Sequence, residues 1–119
     1  VPLAVASNSE RAFVERTLRS VGLLEGGPFR AVVSASDVAQ GKPAPDLYLR
    51  ACELLGADPS RCAALEDSGP GVASARAAGL FTIGVPYFAD GRLPEADLQA
   101  ASLGDEAVYA ALGLREAAA

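Results

Sequence analysis

Three short stretches of this chain carry side chains able to do chemistry together. Ser7 and Asn8 follow an apolar run, Val1 to Ala6. Lys42 stands between Gly41 and Pro43. Glu66 and Asp67 adjoin directly after another apolar run, Cys62 to Leu65. A hydroxyl with free backbone N–H groups at a helix start can bind an anion. A lysine ammonium is a compact charge that neutralises phosphoryl oxygens. Adjacent carboxylates repel and need a counter-charge, and Mg²⁺ binds through one or two carboxylates plus water and phosphate oxygens. Each feature also has a plainer reading. Ser7 reads as a helix cap, Lys42 as a solvated surface lysine, and the acidic pair as partners of a helix starting near Pro70. Taken together, a hydroxyl, a lysine and an acidic pair are equipment for phosphoryl transfer. An evident nucleophile is lacking. Asp37 precedes Lys42, but it stands just after a strand with no neighbouring carboxylate to share a metal.

The elements that position these residues alternate regularly. Val1–Ala6 reads as a buried strand, with Ser7, Asn8 and Ser9 as candidate caps for a helix over Glu10 to Val21. Val14, Leu18 and Val21 fall at helical spacing, and Gly22 closes the helix. Ala31 to Ser34 reads as a second strand. Gly41, Pro43 and Pro45 make a stiff loop. Pro45 suits a first helical position and Asp46 the first turn, before an apolar face of Leu47, Ala51, Leu54 and Leu55 ended by Gly56. A turn over Ala57 to Arg61 leads to the strand Cys62–Leu65. Ser68-Gly69-Pro70-Gly71 breaks the chain before a helix over Val72 to Ala78. Leu80–Val85 is a fourth strand, and Pro86 to Pro94 a polar loop turning at Asp90-Gly91. Leu98–Ala101 reads as a short fifth strand. Ser102 and Asp105 have capping spacing for a last helix through Leu112, followed by a frayed tail over Arg115 to Ala119. Alternating strands and helices predict an α/β fold, a parallel sheet with helices on both faces and the ligand at the carboxyl ends of its strands. Gly69-Pro70-Gly71 is not a dinucleotide fingerprint, because position 74 is Ser and the preceding carboxylates would repel a pyrophosphate. Cys52 reads as core packing, Cys62 as the opening of a buried strand, and neither as catalytic.

Composition narrows the classes. The 119 residues are one domain's worth, half of them apolar, with a net charge of −5. The acidic balance argues against nucleic acid, since phosphate backbones select basic patches. No apolar run reaches membrane-spanning length, and no signal peptide is evident. The chain holds no histidine, which excludes the usual zinc sets. It holds no methionine either, so Val1 is expected to be a processed end or a cut inside a longer protein. Lys42 is its single lysine against nine arginines, which marks it for a role that arginine could not fill. Sparse cysteines fit a cytoplasmic location.

At this point the motifs resemble the haloacid dehalogenase (HAD)-like hydrolase superfamily, in the branch of beta-phosphoglucomutase and phosphoglycolate phosphatase. Ala4-Val5-Ala6-Ser7-Asn8-Ser9 resembles its second motif. Gly41-Lys42-Pro43-Ala44-Pro45-Asp46 resembles its third. Leu65-Glu66-Asp67-Ser68-Gly69-Pro70-Gly71, on to Ala77-Ala78-Gly79, resembles its fourth. The resemblance implies a Rossmann-like parallel-sheet core. It implies Ser7 and the Asn8 backbone on the phosphoryl group, Lys42 neutralising charge between nucleophile and phosphoryl oxygens, and Asp67 with Glu66 binding or positioning Mg²⁺. It implies a small phosphorylated metabolite as substrate. The family's first motif, Asp-x-Asp, which supplies the nucleophile and the acid/base, is absent, as is the helical cap. Residues 1–119 therefore read as the carboxyl-terminal portion of such a core. The central strand that carries the first motif is then missing. Its absence is expected to leave two half-sheets with unpaired edges and exposed apolar faces, an aggregation-prone chain unless the amino-terminal segment completes it.

Phosphatase and phosphomutase both fit the full-length protein, with the phosphoryl group passing to the absent Asp and then to water or a sugar hydroxyl; the isolated chain is expected to be inactive. A phosphoacceptor receiver module has a similar inventory, but there the acidic pair follows the first strand and the lysine comes last. A truncated, non-catalytic interaction protein is the remaining alternative.

Overall fold

The computed structural model describes residues 1–88 and 90–114, so the expected tail over Arg115–Ala119 lies outside the described residues. In chain order it runs β1 (Leu3–Ala6), α1 (Arg11–Ser20), β2 (Phe29–Val33), α2 (Asp46–Leu55), β3 (Ala63–Glu66), α3 (Gly69–Ala77), β4 (Phe81–Gly84), β5 (Leu98–Gln99) and α4 (Glu106–Ala111). Short 3-10 turns at Ala35–Asp37 and Pro59–Arg61 follow β2 and precede β3.

All strand pairs are parallel, and they form two sheets: β1-β2, and β3-β4-β5. The expected half-sheets are thus what the chain builds. Ala6 pairs with Val33 at the end of one sheet, and Glu66 with Gly84 at the end of the other. Side chains alternate across a strand, so Ala64 and Leu65 face opposite ways. Ala64 is buried, whereas Leu65 is 45% exposed on the strand bordering the gap.

Helix α2 holds the halves together. Leu47 and Ala51 pack with Val33 against the first sheet, while Tyr48 and Cys52, one position on, pack with Ala64, Ala75, Ala78 and Leu80 of the second unit. Residues four apart stack on one helix face, so two adjacent diagonals of one helix serve two sheets. Ala6 of β1 touches both clusters. The other face of β4 is covered by α4, through Ile83, Ala100 and Val108. The Cys52 thiol is pushed up to about 11 by burial first and by Cys62 second, and both cysteines are free. Cys52 is a core residue; Cys62 lies one residue before β3.

Several local expectations shift. The α1 cap is Glu10, not Ser7, Asn8 or Ser9, because Ser7 continues the ladder by donating its N–H to the Val33 carbonyl. Val21 is exposed, since α1 has ended before it. Pro45 is the α2 N-cap rather than its first helical residue. Leu54 is exposed, because it lies off the Leu47–Ala51 and Tyr48–Cys52 diagonals that pack into the core. Gly69-Pro70-Gly71 do not break the chain; Ser68 caps them as the first turn of α3, its hydroxyl accepting from the Gly71 N–H. Asp105, not Ser102, caps α4, its carboxylate accepting from the Ala107 N–H.

Asp37 and Asp97 clamp loops to strand ends. The Ser34 backbone N–H is the largest cause holding the Asp37 carboxyl below its ordinary value, with the Ser34 hydroxyl and Arg11 adding to it. Asp97 is lowered chiefly by the Thr82 N–H and then by Arg76. Carboxylates depressed in the folded state add stability above the unfolded pKa of about 3.9, and that contribution is lost as pH falls through the folded values. Thermal midpoints are therefore flat from neutral pH to about 5 and fall below about 4; Asp97→Asn flattens the acid limb. Leu47, with no exposed surface, costs about 2–5 kcal/mol on truncation to Ala, measured by urea unfolding.

Candidate active site

Lys42 enters the gap between the sheets from a tethered loop. The Ala44 N–H donates to the Gly41 carbonyl (3.0 Å), and the buried Ser74 hydroxyl of α3 donates to the Ala44 carbonyl (2.6 Å). Asn8 grips the lysine's own backbone. Its Oδ1 accepts from the Lys42 N–H at 2.7 Å, and its Nδ2 donates to the Lys42 carbonyl at 3.3 Å.

The ammonium then meets both half-sheets. Lys42 Nζ donates to the Ala6 carbonyl at the end of β1 (2.9 Å) and to Glu66 Oε1 at the end of β3 (2.5 Å). It also lies 5.2 Å from the centre of the Tyr48 ring. The two charged side chains are 13% and 5% exposed, so both are largely out of water. A buried ion pair holds only if its remaining polar valences are met. Here Tyr48 meets one of them, its hydroxyl donating to the same Glu66 oxygen. Burial first, and then the Glu66 carboxylate, push the Tyr48 phenol far above its usual range, which keeps it a donor. Gly71 is required on the other side, because a Cβ there would collide with the Glu66 carboxylate.

Around this pair lies a cleft of about 270 Å³. Lys42, Glu66 and Asp67 form its polar side, and Leu65, Val85 and Leu103 its apolar side. Asp67 is exposed, one residue beyond the buried Glu66. Ser7 stands directly after Ala6, whose carbonyl holds the ammonium. Its Oγ accepts from the Ser9 N–H (3.1 Å), which leaves the hydroxyl proton free to be donated. The structure thus gathers Lys42, Glu66 and Asp67 in one cleft and sets Ser7 and Asn8 at its β1 edge. Glu66 accepts from both Lys42 and Tyr48 through Oε1, and Asp67 is the exposed carboxylate beside it. Among the described residues no group of three or more His, Cys, Asp or Glu is placed to hold a metal. Asp37 lies elsewhere, capping its own turn and paired with Arg11.

Two contributors escape sequence reasoning. Tyr48 carried a weak signal, a hydroxyl-bearing ring on an otherwise apolar helix diagonal. The Asn8 amide on Lys42 carried none, since 34 residues separate the partners.

The chain belongs to the haloacid dehalogenase-like hydrolase family, whose model matches residues 1–79 and so takes in Ser7, Lys42, Glu66 and Asp67. Among its relatives is Protein CbbY of Rhodobacter capsulatus, 44% identical over 110 residues, covering 84% of this chain and 48% of that protein. Beta-phosphoglucomutase of Bacillus subtilis is 35% identical over 85 residues, covering 71% of this chain and 36% of the mutase. A HAD family hydrolase from Deinococcus radiodurans, solved with bound phosphate and sodium, superposes with a TM-score of 0.84 at 38% identity, over 99% of this chain and 56% of that one. The chain thus spans about half or less of these relatives' length. The parallel α/β core is that of the family, which sets aside a receiver module.

The buried Lys42–Glu66 pair makes a stability prediction. Lys42→Met leaves a buried carboxylate without its counter-charge and costs about 3–5 kcal/mol. Adding Glu66→Gln to that variant recovers much of the loss. Urea unfolding compares the three proteins, and a Lys42→Met variant as stable as the parent would dismiss the buried pair.

Proposed function

We propose that this chain is the carboxyl-terminal portion of a Mg²⁺-dependent phosphotransferase, a phosphatase of small phosphorylated metabolites or a sugar phosphomutase. The observation that carries the reading is the Lys42 ammonium, bonded at once to the ends of β1 and β3 beside a cleft lined by Asp67 and by Ala6, the residue before Ser7. A preorganised ammonium and hydroxyl, aimed where phosphoryl charge develops, stabilise that charge without reorganising during the reaction. In this reading Lys42 neutralises the phosphoryl oxygens, and the Ser7 hydroxyl donates to one of them. Glu66, with Tyr48, holds the ammonium in place. The donor set suits Mg²⁺ bound through a single carboxylate plus water and phosphate oxygens. Asp67 would hold the ion, which when bound supplies neutralising charge opposite Lys42. Leu65, Val85 and Leu103 supply the apolar part of the cleft lining.

The nucleophile is not among these 119 residues, which contain no Asp-x-Asp pair. In the proposal it comes from an amino-terminal segment of the same protein, whose strand enters the gap between β1 and β3 and covers Leu65. The 119 residues alone are then inactive. A cytoplasmic location goes with this reading, supported by two free cysteines and, among the described residues, no helix long and apolar enough to cross a membrane.

Reconstitution tests the proposal. The chain mixed with the amino-terminal half of a close relative is assayed for phosphate release from small phosphate esters, with and without Mg²⁺. Turnover is expected only from the mixture, lost with chelator, and abolished in Lys42→Ala. Asp67→Asn raises the Mg²⁺ concentration needed for half-maximal rate. Wild-type turnover in Lys42→Ala would overturn the assignment, and an inert mixture whose halves bind each other would favour a non-catalytic role.

A further inference from the structure

We propose that the Asn8 side chain, through its grip on the Lys42 peptide, is the positioning residue for the Lys42 ammonium, and that Gly41 is glycine to admit it. The role rests on the reading of Lys42 given above, but the geometry stands without it. A primary amide has one acceptor and two donors, and Asn8 sets both kinds against a single residue: Oδ1 on the Lys42 N–H at 2.7 Å and Nδ2 on the Lys42 carbonyl at 3.3 Å. A carboxylate only accepts, and a hydroxyl carries its donor and acceptor on one atom, whereas the amide holds them on two. The two bonds hold the peptide groups on either side of the Lys42 Cα. The Lys42 stem starts from that Cα, and its far end must reach the Ala6 carbonyl and Glu66 together.

The second observation comes from the opposite partner. A Cβ added at Gly41 would stand 2.5 Å from Asn8 Oδ1, closer than real Cβ atoms approach. Gly41 does not take a left-handed backbone, so its reason for being glycine is this approach and not a turn. Asn8 lies two residues beyond the end of β1, so the clamp ties the lysine loop to the same strand end whose Ala6 carbonyl receives the ammonium. Asn8 itself is exposed, and its loss leaves the core intact.

The single lysine supplies a direct readout. The 119-residue chain is pulse-labelled with an amine-specific acylating reagent, and Lys42 is quantified by mass spectrometry against the Val1 amine as internal reference. Asn8→Ala is expected to speed Lys42 acylation about tenfold, the factor that roughly one net hydrogen bond supplies. Gly41→Ala, by pushing the amide away, is expected to give a similar increase. The double variant should show no further gain, because the new methyl then has nothing to displace. Thermal midpoints run alongside separate positioning from folding; the labelling change is expected where the midpoint barely moves. Unchanged labelling in Asn8→Ala, or additive effects in the double variant, would overturn the clamp. Neither result bears on phosphoryl transfer, whose failure would show in the reconstitution and leave this labelling pattern in place.

Discussion

A lysine ammonium taken out of water must have its protons met, or it gives up its charge. Lys42 solves this with one acceptor from each half of the molecule, the Ala6 carbonyl and the Glu66 carboxylate. The two sheets share no strand pairing, so this contact and the α2 packing are what define the spacing of their ends. Glu66 in turn is tolerated inside the protein because Tyr48 meets it from α2 and Gly71 makes room for it. Removing any member leaves a charge or a dipole unsatisfied in a low-dielectric setting.

The same pair explains why α2 has its composition. A helix that serves one sheet needs one apolar stripe. This one carries two adjacent diagonals, Leu47 with Ala51 and Tyr48 with Cys52, and only the second bears a hydroxyl. Tyr48 thus packs the second unit through its ring and orders the site through its oxygen. Stability and chemistry are coupled at that residue, since the packing that buries its ring also aims its donor.

The gap is the structural counterpart. Parallel strands inside a doubly wound sheet are buried on both faces and paired on both edges. β1 and β3 each lack a partner on the facing side, and Leu65 stays half exposed there. The cleft is therefore a site edge and an open strand slot at once. That is why the proposed function assigns the nucleophile and the missing strand to one and the same segment.

Much of this was legible in the residues alone. Strand and helix alternation followed from apolar runs punctuated by Gly22, Gly56 and Gly79, since these supply the left-handed backbone at helix ends that other residues resist. Ser7, Lys42, Glu66 and Asp67 stood out because each follows a strand or opens a helix, where a parallel sheet exposes its functional edge. The expectation of two half-sheets came from the family resemblance, whose central first-motif strand has no counterpart in these residues, and not from local spacing. Local spacing could not say which carboxylate of the adjacent pair is buried. Period-two alternation puts Glu66 and Asp67 on opposite sides, but the choice of side depends on where α2 lies. Nor could it find the Tyr48 and Asn8 contacts, which join residues 18 and 34 positions apart. Local sequence determines which residues reach the sheet edge, because backbone propensity and turn chemistry act over a few neighbours. Only the tertiary fold decides which of them neutralise one another and which remain open to a ligand, because that depends on burial and on partners the chain brings in from far away.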